Sequence, residues 1–223
     1  MTTFMADLSW ICDSYEDGGF DFTYVRGLTP AQLITRLGGR PETFVRGDHY
    51  GPPSGIRSEP GMRIGVTTIG DWTFVIGDGR FGHTADILMP LSDGTRVISQ
   101  TLLGIKAIDY FFWIENREIR FYFIAQEGYP EQKEWPDELA ETLTLIDSLY
   151  PPMTYPGEGP SFVLSEQLTG IRLTKEVVTG ASYLWGVIPK PHSYDCPDPW
   201  NGDYPVSRMG GPIGGRKDQN RQR

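Results

Sequence analysis

The stretch AIDYFFWIENREIRFYFIA, residues 107–125, limits the possible folds more than any other part of the chain. Period-two alternation puts Ile108, Tyr110, Phe112 and Ile114 on one face, and Asp109, Phe111, Trp113 and Glu115 on the other. In the second run Ile119, Phe121 and Phe123 oppose Arg120 and Tyr122. The link ENRE is short enough for a tight hairpin, so the two runs are expected to be antiparallel neighbours. A row of exposed Phe and Trp would invite association. The face carrying Asp109 is therefore expected to lie under a helix, with Asp109 paired to a base such as Arg26 in a structural ion pair.

Other segments extend this sheet. FDFTYVRGL has aromatic and β-branched residues throughout and predicts a strand. In LTPAQLITRLGG, Thr29 is an N-cap, Pro30 takes the first helical position and Gln32 completes a capping box. Leu33, Ile34 and Leu37 form the buried stripe of that helix, and Gly38 its left-handed stop. Residues 39–61 are expected to be a long Gly- and Pro-rich loop. MRIGVTTIG, DWTFVIG and GTRVISQTLL predict further strands. WPDELAETLTLIDSLYPP places Leu139, Leu143, Ile146 and Leu149 at helical spacing, and Pro151 ends it. GPSFVLSEQLTG predicts a helix stopping at Gly170, and LTKEVVTGASYLWG one capped by Thr174. Residues 4–15 carry Phe4, Leu8, Ile11 and Cys12 at helical spacing.

Grouped strands and segregated helices predict an α+β fold, with an antiparallel β-meander of about five strands packed by helices from both ends of the chain. The expected organisation is one domain over 1–189, a Pro-rich loop region over 190–207 and a disordered basic tail over 208–223. The tail sets Arg208, Arg216, Lys217, Arg221 and Arg223 against Asp218, five bases to one acid.

Composition narrows the partners. A formal net charge of −9 opposes a broad surface for nucleic acid or anionic membrane. A minor nucleic-acid role is left only to the tail, whose simpler reading is a solvated terminus. Cys12 and Cys196 form no disulfide framework, which suggests a reducing, cytoplasmic setting. Cys196 lies beside two carboxylates in YDCPDP and would make a poor nucleophile. No apolar run approaches the ~18 residues of a membrane span, and the N-terminus lacks a signal-peptide pattern.

The segments FTYVRGLTPAQLITRLGG, GDWTFVI, PLSDGTRVISQ, AIDYFFWIE and SEQLTGIRLTKEVVTGASYLWGVIP together resemble a family of uncharacterised proteins common in actinobacteria, described only as a domain of unknown function. The resemblance spans about Phe20 to Pro189, leaving out the loop around 48–61 and everything after Pro189. It implies an intracellular bacterial or phage setting and brings no catalytic residues with it.

One local pattern has the form of a ligand motif. In WTFVIGDGRFGHTADIL, residues 72–88, Gly77, Gly79 and Gly82 have the G-x-G-x-x-G spacing of a dinucleotide-binding turn. That fingerprint needs a parallel strand on each side of a long helix whose N-terminus holds pyrophosphate. HTADILM allows barely two turns before Pro90, so a simple turn with Gly79 at positive φ is the expected structure. His49, His83 and His192 are too few and too scattered for a metal site, and neither cofactor nor metal is expected. Asp109 and Glu115, roughly 20 Å apart along one strand at ~3.3 Å per residue, are too distant for a glycosidase pair.

The sequence therefore suggests a non-catalytic protein-binding module, immunity-like, regulatory or inhibitory. Its candidate contacts are His49 and Tyr50 in one loop and Tyr194, Trp200 and Tyr204 in another. The alternative is a small-molecule or nucleotide-binding enzyme that uses Gly77, Gly79, Gly82 and His83.

Overall fold

The computed structural model describes residues 10, 20–47, 61–77, 80–103, 108–124, 132, 135–149 and 159–193. Its centre is one antiparallel sheet of eight strands in the order β2-β8-β3-β4-β1-β5-β6-β7. The strands are β1 (Phe20–Arg26), β2 (Val45–Gly47), β3 (Gly61–Ile69), β4 (Trp72–Gly77), β5 (Arg96–Leu103), β6 (Ile108–Glu115), β7 (Glu118–Ile124) and β8 (Tyr183–Pro189). The α-helices with full ranges among the described residues are α1 (Pro30–Arg36), α2 (Ala85–Leu91), α3 (Asp137–Leu149), α4 (Gly159–Thr169) and α5 (Lys175–Gly180). No helix among the described residues is long and apolar enough to cross a membrane.

The mixed helix-and-strand class follows the sequence pattern, but the sheet is larger than the expected five strands and is not a simple meander. Strand β1 lies between β4 and β5, so the first strand of the chain joins the β3–β4 hairpin to the β5–β6–β7 meander. Two of the added strands come from segments given other structures above. Val45–Gly47 lies in the expected loop, and Tyr183–Pro189 contains the end of the expected helix LTKEVVTGASYLWG. Thr174 does cap that helix, accepting from the Val177 amide, but the helix stops at Gly180. The next residues complete hydrogen-bonded ladders with β3 and β2. Tertiary pairing overrides the local helical preference there.

Both faces of the sheet are buried. An aromatic face, with Phe22, Tyr24, Phe74, Phe111 and Trp113, packs against Leu139, Leu143 and Ile146 of α3, Leu164 of α4 and Val178 of α5. The opposite, mainly aliphatic face, with Val25, Ile64, Val75, Val97 and Ile114, packs against Leu33 and Ile34 of α1 and Leu88 of α2. The capping box forms as the sequence specifies, with the Gln32 amide donating to Thr29 Oγ1 and the Thr29 amide to Gln32 Oε1. Gly38 takes φ +74° after α1 and Gly170 φ +72° after α4, the left-handed stops that glycine accommodates without a Cβ clash.

The β6–β7 hairpin is tight, with Asn116 and Arg117 at φ 52° and 62°, as a twisted two-residue turn requires. One face assignment changes. Trp113 pairs with Phe121 but Ile114 pairs with Ile119, so a bulge leaves Arg120 without an opposite residue. The extra residue inverts the alternation. Ile119 therefore joins Ile114 on the aliphatic face while Phe121 and Phe123 stay on the aromatic one. Arg120 lies over the Trp113 ring at 5.8 Å, and Arg96 approaches the same ring at 4.9 Å.

Candidate functional site

Asp109 is fully buried on the aromatic face, under α4 as expected, and the Ser161 hydroxyl donates to its Oδ2 at 3.5 Å. It does not meet Arg26. Asp109 pairs with Leu102, and Leu102 with Phe20 at the start of β1. Arg26 ends that strand six residues on, roughly 20 Å away at ~3.3 Å per residue. Its guanidinium lies over Trp72 at 6.0 Å instead. Strand register, which side-chain types alone do not reveal, separates the proposed pair.

The glycine pattern ends in a different construction from a nucleotide loop. Strand β4, which leads into it, is antiparallel to both neighbours, and the following helix α2 has seven residues with Pro90 inside. A dinucleotide fingerprint has neither feature. Gly82 packs instead against a buried carboxylate. The Gly82 amide donates to Asp21 Oδ2 at 2.6 Å, and the Ser99 hydroxyl donates to the Gly82 carbonyl at 2.8 Å. Ser99 also shares a hydrogen bond with Thr23 at 2.8 Å. A Cβ on Gly82 would fall well inside contact distance of Ser99 Oγ, Thr101 Oγ1 and Asp21 Oδ1. At Gly77 it would strike Phe81 and approach Asp21. The two glycines are thus required by close packing around Asp21, whose oxygen engages an amide of the kind that a phosphate-binding turn would present.

His83 follows Gly82, is nearly buried and stacks on Tyr110, with ring centres 5.1 Å apart and planes 12° from parallel. Gly79 lies outside the described residues, as do His49, Tyr50, Tyr194, Trp200 and Tyr204. One contact involves the described residue next to the second loop set. The Ser193 amide donates to Asp86 Oδ2 at 2.8 Å, tying the chain one residue before Tyr194 to the helix that follows the glycine turn.

Sequence reasoning missed Asp21, Ser99 and Thr101. The available signal was Asp21 between two phenylalanines in FDF, a carboxylate inside an aromatic strand, which calls for a buried partner. Among the described residues no group of three or more His, Cys, Asp or Glu could hold a metal ion.

Two surface features complete the inventory. Leu28, Ala31, Gln32, Thr35 and Arg36 line an open groove of about 490 Å³ along α1. Arg36 there donates to the carbonyls of Leu91 and Asp93, which fixes one wall. The outer face of α3 is acidic, with Asp137, Glu138, Glu141 and Asp147 exposed and no base in the helix. Leu145 on the same side is 44% exposed. Among the described residues no ion pair engages these four carboxylates.

The chain belongs to a family of unknown function (DUF6461), whose model matches residues 1–193. The match reaches beyond the segments that carried the resemblance, through the N-terminus and as far as the Ser193 contact. No curated protein and no solved structure matches the chain.

Proposed function

We propose that this protein is a non-catalytic protein-binding module, cytoplasmic in a bacterial or phage setting, whose partner presents a basic surface. The observation that carries this reading is the outer face of α3. Asp137 and Glu138 favour the positive end of the helix dipole, but Glu141 repels both from one turn away, and Asp147 lies near the negative end. Like charges at this spacing destabilise a helix by ~0.2–0.5 kcal/mol per pair, and no lysine or arginine in the helix compensates. A complementary basic partner would relieve that repulsion, with the half-exposed Leu145 as an apolar contact at the centre. Electrostatic complementarity of this kind speeds encounter and selects the partner. The nucleotide-enzyme alternative has less support, because the Gly82 amide already holds Asp21.

The test is affinity capture from the host lysate with three baits: the wild-type chain, the double variant Glu138→Lys/Glu141→Lys, and Trp200→Ala. A protein retained near stoichiometry by the wild type, released by salt and lost with the charge-reversed bait supports the proposal. Loss with Trp200→Ala as well extends the contact to the 190–207 region. Identical captures by the wild-type and charge-reversed baits would refute the α3 surface.

A further inference from the structure

Tyr24, in the middle of β1, is completely buried, and its hydroxyl has no hydrogen-bond partner among the described residues. Its ring contacts are with β4, at 5.0 Å from Phe74 and 6.5 Å from Trp72. Phe74 pairs in turn with Thr67 of β3. Val66 pairs with Leu184, so Tyr183 of β8 stands one residue further along, beside Thr67. Tyr24, Phe74, Thr67 and Tyr183 therefore form one row across four strands on the aromatic face. Phe74 and Thr67 stand between the two tyrosines, and Thr67 is the smaller of the two. Tyr183 is also fully buried and donates its hydroxyl proton to the Val178 carbonyl at 2.8 Å, while Thr67 donates to the Ser182 carbonyl at 2.8 Å. A hydroxyl oxygen that donates its proton retains lone pairs that accept.

A buried hydroxyl without a partner costs on the order of 1–3 kcal/mol. The matching acceptors lie on the same row, and buried waters typically make about three hydrogen bonds to such groups. We propose that an ordered internal water lies among Tyr24, Thr67 and Tyr183, accepting from the Tyr24 hydroxyl and donating to the oxygens of Tyr183 and Thr67. The burial that raises the Tyr24 pKa, with Tyr183 adding to it, accords with two hydroxyls close enough to influence each other. This water would pin β1 to β8 across β4 and β3, beneath α5.

The test uses the sign of a conservative substitution. If the Tyr24 hydroxyl is dry and unpaired, Tyr24→Phe removes a liability and raises the unfolding midpoint. If it holds the water, Tyr24→Phe lowers the folding equilibrium constant about tenfold. The bridge further requires that Tyr24→Phe and Tyr183→Phe be non-additive in a double-mutant cycle. A raised or unchanged midpoint for Tyr24→Phe overturns the proposal, and so do strictly additive losses. If Tyr183→Phe fails to fold, water-to-ring cross-relaxation at Tyr24 in the wild type decides. A long-lived water signal supports the site, and its absence overturns it.

Discussion

Two aspartates are buried at the same end of the sheet, one on each face. Asp21 pairs with Thr101 on β5, and Asp109 with the adjacent Leu102. Asp21 accepts from a backbone amide at 2.6 Å, in a corner where Gly77 and Gly82 allow close approach. Asp109 accepts from the Ser161 side chain at 3.5 Å. A backbone donor in a packed turn is held by the fold itself, whereas a serine hydroxyl can rotate away. Through these bonds the first carboxylate is part of the architecture of its corner, and the second meets a side chain of a covering helix. Charge-assisted hydrogen bonds strengthen with short, fixed geometry, so the two sites should respond differently to the same chemical change.

The most damaging way to break this comparison is Gly82→Ala. Its methyl group would overlap three oxygens, and overpacking plus loss of the Asp21 bond should cost about 3 kcal/mol. Chemical denaturation measures it, and a loss below 1 kcal/mol would mean that the corner yields. The paired substitutions Asp21→Asn and Asp109→Asn come next. Asp21→Asn, which leaves one acceptor oxygen where the carboxyl has two, should cost ~2 kcal/mol, as for a buried group that loses its partner, and Asp109→Asn ~1 kcal/mol or less. Equal losses would remove the distinction drawn between amide and hydroxyl partners. Ser161→Ala should cost about 1 kcal/mol by the same reasoning, with no effect on the Gly82 amide's exchange protection.

The buried Tyr24 hydroxyl adds a pH dependence that is confined to alkaline solution. Desolvation first, then Tyr183, raises the Tyr24 pKa above its ordinary value of 10.0. Above about pH 10 the unfolded chain releases this proton while the folded chain keeps it. Folding stability is therefore full below pH 10 and falls as pH rises past it, by about 1.4 kcal/mol per pH unit for one such group. Tyr24→Phe should have a correspondingly shallower alkaline slope; parallel slopes for the two proteins would contradict this assignment.

The β6–β7 hairpin shows how much can be read from alternation and where it fails. Residues 109–114 fall on the faces that period two assigns, because a slip would move the aromatic rings onto the face packed by aliphatic side chains. Ile119 does not, because a one-residue bulge at Arg120 reverses the count, and no propensity marks that position as unpaired. The capping box at Thr29 and the stops at Gly38 and Gly170 were legible for a different reason. Each is satisfied by atoms within a few residues, so the local sequence contains both partners.

The candidate sites divide in the same way. The spacing of Gly77 and Gly82 was visible, but its cause was not, since Asp21, Ser99 and Thr101 reach the corner from distant strands. Arg26 and Asp109 were matched by charge, yet register puts them at opposite ends of the sheet. By itself, the sequence determined the helix-and-strand composition, the local caps and most strand faces, because short-range sterics and burial periodicity act within each segment. Only the tertiary structure decided that β1 would run between β4 and β5, that Tyr183–Pro189 would become a strand, and that the glycine turn would close on a carboxylate. Those outcomes depend on hydrogen bonds and contacts between residues far apart in the chain, where pairing energy overrides local preference.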